Sequence, residues 1–473
     1  MNSKTNKYLM FVTVVATLGG LLFGYDTAVI SGTVKYLELN FISPLGMDEA
    51  SANSLQGFLV SSALIGCIIG GLIGGYMASN FGRKKSLMIA AILFLISAVG
   101  SAYPDMGSSA PLHELISVFV IYRIIGGIGV GLASMLSPMY IAEMSPAEKR
   151  GAMVSLNQFA IIFGMLLVYF VNYSIAISGN EEWIASTGWR LMFLSEVIPA
   201  SLLLCAIMFV AESPRYLVMR GQIDKAKIVI AKVAGKERVE TEISQIKESL
   251  SAVTTSRLFA FGTTVIVVGM LLSVFQQFVG INVVLYYAPE IFRNMGSGTD
   301  SALLQTIIVG IINLSFTTLA IFTVDKFGRR PLMITGSIGM AVSMFLLGML
   351  FFSGNLGIGA LIVMLLYTAS FAVSWGPVCW VLLAEIFPNQ IRGSAMALAV
   401  AVQWIANYLV SWTFPMMDKS SYLTELFNHG FAYWVYALMA VLSALFMWKM
   451  VPETKGKTLE EMNNLFKKGH SQN

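Results

Sequence analysis

The stretch EMSPAEKRG at residues 143–151 returns as EIFPNQIRG at residues 385–393, and that recurrence decides the architecture. Both copies place an acid and an arginine seven residues apart, Glu143 with Arg150 and Glu385 with Arg392. A second pair recurs at nearly the same offset: FGRKK at 81–85 and FGRR at 327–330. Self-similarity on this scale means that the chain is built twice, from two halves of parallel topology.

Composition says what each half is made of. The 473 residues are 56% hydrophobic and 12% charged, with a mean hydropathy of +0.74, which excludes an ordinary soluble domain. Apolar runs long enough to cross a bilayer as helices lie at 9–30, 55–77, 86–104, 116–141, 152–176 and 189–210. Six more lie at 260–291, 302–324, 332–352, 357–386, 394–414 and 431–450. Helices are required because lipid offers the backbone no hydrogen-bond partner, and no period-2 barrel pattern is present. The expected fold is therefore an all-α membrane protein of twelve transmembrane helices in two six-helix halves. The halves cover 1–211 and 258–452, a helical cytoplasmic linker covers 212–257, and a cytoplasmic tail covers 453–473. The first run is too long for a signal peptide and has no small-residue cleavage site behind it, so it reads as a retained span.

Lysine and arginine fix the orientation. Arg83, Lys84, Lys85, Lys149, Arg150, Lys326, Arg329, Arg330, Arg392 and the 212–257 segment all fall on one side if both termini are cytoplasmic. The other side holds chiefly Lys35, Arg190, Arg293 and Lys419. The net charge of +4 reflects this asymmetry and implies no nucleic-acid partner. Cys67, Cys205 and Cys379 sit inside spans without partners for a disulfide or a metal. His113, His429 and His470 fall in loops or the tail, and no nucleophile with a base occurs within the spans. No enzyme, metal or cofactor is expected.

Within the spans, polar side chains are mostly amides and indoles: Gln158, Gln276, Gln277, Asn282, Asn313, Trp380, Gln403, Trp404 and Asn407. Amides in lipid need partners, so they should face a protein interior or a wet cavity. They supply donors and acceptors without charge, which suits a neutral polyol better than an ion or a steroid. Gly280, after Gln276 and Gln277, would let the seventh span unwind, and Gly376-Pro377 predicts a hinge in the tenth. The Gly-rich run GGIGVGL at 126–132 and the Gly66, Gly70, Gly74 stripe read as close helix contacts.

One carboxylate stands out in GGLLFGYDTAVISG at 19–32. A buried acid in a span is expensive enough that function is the default reading, and Arg123 is its natural counter-ion; Glu196 is the other first-half candidate. Burial favours the neutral acid and a guanidinium favours the anion, so Asp26 could load and release a proton as the pair opens and closes.

These motifs, with FGYDTAVISG, YRIIGGIGVG, NQFAII, FQQFVGINVVLYYAPE, SWGPVCWVLLAEIFP, QWIANYLVSWTFP, AESPR at 211–215 and PETKGKTLEE at 452–461, resemble the sugar porter family of the major facilitator superfamily. The resemblance covers essentially the entire chain. It implies proton-coupled uptake of a monosaccharide, D-xylose first and D-glucose as another ligand, by a monomer in a bacterial inner membrane. It implies that Asp26 couples the proton and Arg123 modulates it, with Glu196 as a third candidate. It assigns sugar contacts to Gln158, Gln276, Gln277, Asn282, Trp380 and Gln403, with Asn313, Trp404, Phe23 and Tyr286 nearby. It also assigns a cytoplasmic latch between the halves to Arg83, Glu143, Arg150, Glu212, Arg215, Asp325, Arg329, Glu385, Arg392 and Glu453. Two departures from the family pattern bear on that latch. Ser79 stands where an aspartate is usual, although Asp325 keeps it in the second half, and Ala211 replaces a proline. A facilitative uniporter, a glucose or other sugar symporter and a sugar sensor remain alternatives.

Overall fold

The computed structural model describes residues 3–106, 110–251, 263–387 and 391–455, with the side chains of 3–6, 147, 251, 325 and 392 outside the description. Among the described residues, twelve helices are long and apolar enough to span a membrane. In the first half they are Lys7–Gly32, Glu49–Phe81, Arg83–Ala102, Leu112–Met144, Glu148–Ala176 and Glu181–Met208. In the second they are Thr263–Asn294, Thr299–Val324, Arg329–Ser353, Ile358–Ile386, Gly393–Asp418 and Phe431–Met450. No strand occurs among the described residues. The count and sequence positions agree with the apolar runs, and several helices extend a turn or more beyond them.

Three spans are broken, each for a local reason. The seventh stops at Phe278 and restarts at Ile281, with Gly280 at φ 91°, a left-handed conformation that costs glycine least. The freed carbonyl of Val279 accepts the Tyr367 hydroxyl at 2.6 Å. The tenth span breaks at Ser374 (φ −127°, ψ −89°), upstream of the expected Gly376-Pro377 hinge. Pro377 explains the shift, since a proline ring clashes with the carbonyl four residues back, and that residue is Val373, the last of the preceding helix. Gly376 and Pro377 then occupy the first turn of Trp375–Ile386, where a missing N–H costs nothing. The sixth span breaks between Leu194 and Val197, leaving Glu196 at the start of its inner helix.

The glycine stripes are close contacts, as expected. A Cβ on Gly66 would lie 2.0 Å from the Ile124 carbonyl oxygen, and one on Gly131 would lie 2.5 Å from that of Cys67. Side chains at these positions would force the second and fourth spans apart.

By contacts, the described residues fall into two compact units. One comprises Met1–Thr27, Ile65–Leu167 and Arg190–Thr255; the other comprises Ala28–Leu64, Val168–Trp189 and Ser256–Asn473. This division differs from the division by repeat, because the second unit takes in the outer ends of the first, second, fifth and sixth spans. Polar bonds hold those ends within it: Lys35 to Glu181 at 2.8 Å, Lys419 to Glu38 at 2.6 Å, Trp412 Nε1 to the Ser54 carbonyl at 3.1 Å, and the Tyr169 hydroxyl to the Leu285 carbonyl at 2.8 Å.

The linker forms helices at Pro214–Met219, Ile223–Val233 and Val239–Ser251 within the first unit. Ala226, Val229, Ile230 and Val233 give the middle helix its buried face. Ile228, next to Val229, is 57% exposed. Of the tail, 453–455 are described; 456–473, with His470 and most of PETKGKTLEE, lie outside the described residues.

Candidate functional site

The first site is an ion cluster in the first unit. Asp26 on the first span and Arg123 on the fourth are 0% and 1% exposed, and Arg123 Nη1 donates to Asp26 Oδ1 at 2.8 Å. A second guanidinium nitrogen reaches the Asp26 backbone carbonyl at 3.4 Å, and the Phe193 ring lies under the guanidinium at 5.4 Å. Gly126 allows the approach, since a Cβ there would stand 3.3 Å from Asp26 Oδ1.

Glu196 is fully buried at the break of the sixth span and interacts with both Asp26 and Arg123. No donor among the described residues reaches either of its carboxyl oxygens or Asp26 Oδ2. Two acceptors lying against each other form a hydrogen bond only when one carries a proton. One guanidinium balances one carboxylate, so the cluster is neutral when it holds one proton between its two acids. The three candidate coupling residues are thus brought together. The sequence reading missed Tyr25, whose hydroxyl meets Ser195 Oγ at 2.8 Å beside the break. A tyrosine directly before Asp26 was the available signal.

The second site is an amide chain in the second unit. Gln403 Nε2 and Gln277 Nε2 both donate to Gln276 Oε1, at 2.5 and 2.7 Å. Asn282 Nδ2 donates to Gln277 Oε1 at 2.5 Å, and Gln276 Nε2 approaches the Trp375 carbonyl at 3.5 Å. Gln403 Oε1 has no donor among the described residues. The break at Gly280 turns Asn282 back toward the glutamines, while the eleventh span supplies Gln403. Farther along that span Asn407 donates to the Tyr286 hydroxyl at 3.3 Å and accepts from Ser411 at 3.1 Å. Asn313 and Trp404 are buried and Trp380 is half-buried in the same unit. Gln158 and Phe23 are half-buried in the first unit. Amides bonded to amides can exchange those bonds for hydroxyls, which both donate and accept.

Six of the ten latch residues form one clamp in each half. Arg83 pairs with Glu143 at 2.7 Å, and the Ser213 hydroxyl donates to the other Glu143 oxygen. The Glu212 carboxylate accepts the backbone N–H groups of Arg83 at 3.0 Å and Lys84 at 3.2 Å, capping the third span. In the second half Arg329 pairs with Glu385 at 2.9 Å and the Thr454 hydroxyl donates to Glu385 at 2.5 Å. Glu453 accepts the N–H groups of Arg329 at 3.1 Å and Arg330 at 3.0 Å, capping the ninth span. Charge at the first turn complements the exposed N–H groups there. Gly82 and Gly328 admit the carboxylates at φ 90° and 89°. Arg150 donates to the Ala142 carbonyl at 3.0 Å and Arg215 is half-buried. The side chains of Asp325 and Arg392 lie outside the described residues.

The profile of the sugar (and other) transporter family matches residues 12–466. The D-xylose-proton symporter of Escherichia coli (strain K12) is 61% identical over 98% of this chain and 97% of its own length. The glucose facilitated diffusion protein of Zymomonas mobilis is 40% identical over 99% of each. The solved inward open conformation of the E. coli xylose transporter superposes with a TM-score of 0.88 at 59% identity, covering 97% of this chain and 100% of that one.

Proposed function

We infer that this chain, which belongs to the sugar transporter family, takes up D-xylose together with a proton across the bacterial inner membrane by alternating access. It is a transporter and catalyses no covalent reaction. For transport, the working halves are taken as 1–211 and 258–452, joined by the 212–257 linker, with 453–473 as the tail.

The observation that carries the coupling is the buried cluster of two acids and one guanidinium, with three carboxyl oxygens that no described donor satisfies. A facilitator has no use for such a costly group. In this reading Asp26 and Glu196 hold the transported proton, and Arg123 stabilises Asp26 as an anion once the proton leaves. The sugar is held by Gln276, Gln277, Asn282 and Gln403, its hydroxyls replacing the amide-to-amide bonds. Gln158 is proposed to add one amide, and Trp380 an apolar face and one donor, with Asn313, Trp404, Phe23 and Tyr286 around them. The family relationship supports a sugar site in this chain.

Proteoliposomes with an imposed pH gradient test the reading. Labelled D-xylose should accumulate above its outside concentration, and an uncoupler should abolish the excess. Asp26→Asn should equilibrate the sugar without accumulating it and should still bind it. Gln403→Ala should weaken sugar binding about tenfold, the loss of one hydrogen bond to a polar group. Accumulation that survives Asp26→Asn would overturn the coupling assignment. Uncoupler-insensitive exchange in the wild type would make the chain a facilitator.

A further inference from the structure

Where the third and sixth spans meet the linker helices Pro214–Met219 and Ile223–Val233, the first unit carries an open groove of about 1000 Å³. Its rim carries four lysines, Lys84, Lys85, Lys225 and Lys232, against one carboxylate, Glu212. That carboxylate already accepts the backbone N–H groups of Arg83, Lys84 and Ser213, and Lys84 Nζ donates to the Met208 carbonyl at 2.9 Å. On the neighbouring surface two cations are matched, Lys227 with Glu240 at 2.6 Å and Arg238 with Glu148 at 2.8 Å. Lys85, Lys225 and Lys232 have no carboxylate partner among the described residues, although Lys232 lies 5.7 Å over the Tyr8 ring. The rim is thus a concentration of uncompensated positive charge at the cytoplasmic surface.

The walls below the rim are apolar. Met88, Ile89 and Ile92 come from the third span, Met208 from the sixth, and Val229 and Ile228 from the linker. Ile92 and Met208 are 43% and 53% exposed on helices that meet lipid, so the wall continues into the bilayer. Ile228 is exposed on a helix outside the spans, flanked on the same face by Lys225 and Lys232. An isoleucine between two lysines matches the face of a helix lying at a membrane surface.

We propose that this groove binds an anionic glycerophospholipid of the inner leaflet. Its phosphate sits among Lys85, Lys225 and Lys232, and an acyl chain lies along Met88, Ile92 and Ile228. A free phosphate would satisfy the lysines but leave the apolar wall wet; a neutral lipid would fill the wall and leave the lysines unmatched. Lys84 and Glu212 belong to both this groove and the first-half clamp, so the bound lipid braces that clamp.

The test uses the full-length protein, purified in detergent and stripped of lipid. Native mass spectrometry and thermal shift then follow titration with phosphatidylglycerol, phosphatidylcholine of the same chains, or inorganic phosphate. Phosphatidylglycerol should bind about tenfold or more tightly than phosphatidylcholine and raise the unfolding temperature, while inorganic phosphate should neither bind nor displace it. The triple variant Lys85→Gln, Lys225→Gln, Lys232→Gln should lose about tenfold in phosphatidylglycerol affinity with sugar binding intact. Arginine at the same three positions should restore it, and Ile228→Ser should weaken it with the lysines in place. Equal binding of the two lipids, unchanged binding by the glutamine triple variant, or displacement by inorganic phosphate would each overturn the proposal.

Discussion

The two inner rims, Arg83, Glu143, Ser213 and Glu212 in one half and Arg329, Glu385, Thr454 and Glu453 in the other, repeat one bonding scheme, yet their capping acids differ in charge preference. Burial pushes the Glu212 carboxyl above its usual 4.5, and the N–H groups of Ser213, Lys84 and Arg83 only partly offset this. Burial pushes Glu453 upward too, but it is more exposed, and the N–H groups of Lys455, Arg329, Arg330 and Thr454 bring it below 4.5. The two rims share their geometry, while their electrostatic balance follows local burial. The flanking substitutions follow the same division. Gly82 and Gly328 are retained at nearly identical angles, whereas Ser79 and Asp325 differ.

Breaking the shared geometry should have the largest effect. Gly82→Ala and Gly328→Ala place a Cβ in a backbone region reserved for glycine, costing about 1–3 kcal/mol in each case. The new methyl would fall 2.3 Å from a Glu212 oxygen and 2.8 Å from a Glu453 oxygen, so Gly82→Ala should lower the unfolding temperature more. Equal losses would mean that backbone strain alone matters and the carboxylates move freely.

The difference in charge preference predicts opposite pH slopes. Glu212 titrates above its unfolded value, so its contribution is full below 4.5 and declines as pH rises through the folded value. Glu453 titrates below, so its contribution is full above 4.5 and declines as pH falls through the folded value. Between about pH 3 and about pH 7, the stability gap between wild type and Glu212→Gln should therefore shrink as pH rises above 4.5, while the gap for Glu453→Gln should shrink as pH falls below 4.5. Each gap should span about 0.3–1 kcal/mol, the range for a charge at a helix end. Thermal unfolding across that interval checks the signs; parallel slopes would make the two rims electrostatically equivalent.

The smallest effect belongs to Ser79→Asp, which restores the acid of the second half. Arg220 lies close by, with Nη2 at 3.4 Å from the Ser79 carbonyl, and both residues are exposed. The gain should be no more than about 1 kcal/mol and should vanish in high salt.

Much of this was readable from the residues. Long apolar runs gave the twelve spans, because bilayer thickness leaves little freedom in helix length. Asp26 and Arg123 stood out because charges within such runs are rare. Other features depend on partners remote in the chain. Glu212 and Glu453 cap helices more than a hundred residues away, and no local pattern marks a long-range cap. The four cations on the outer side also turned out to be paired: Lys35 with Glu181, Arg190 with Asp105, Arg293 with Glu290 and Lys419 with Glu38. The hinge in the tenth span was placed by its motif, although the steric conflict it creates falls one turn earlier, at Val373, and breaks the helix at Ser374.

The long reach of the caps also orders biosynthesis. A ribosome delivers Glu212 directly after the sixth crossing, so the amides of Arg83 and Lys84 can be covered while the rest of the polypeptide is still being made. Those of Arg329 and Arg330 must wait for Glu453, beyond the last crossing. A nascent chain halted after Met450 would carry one finished inner end and one bare helix terminus, and closure of the second cap marks the completion of insertion.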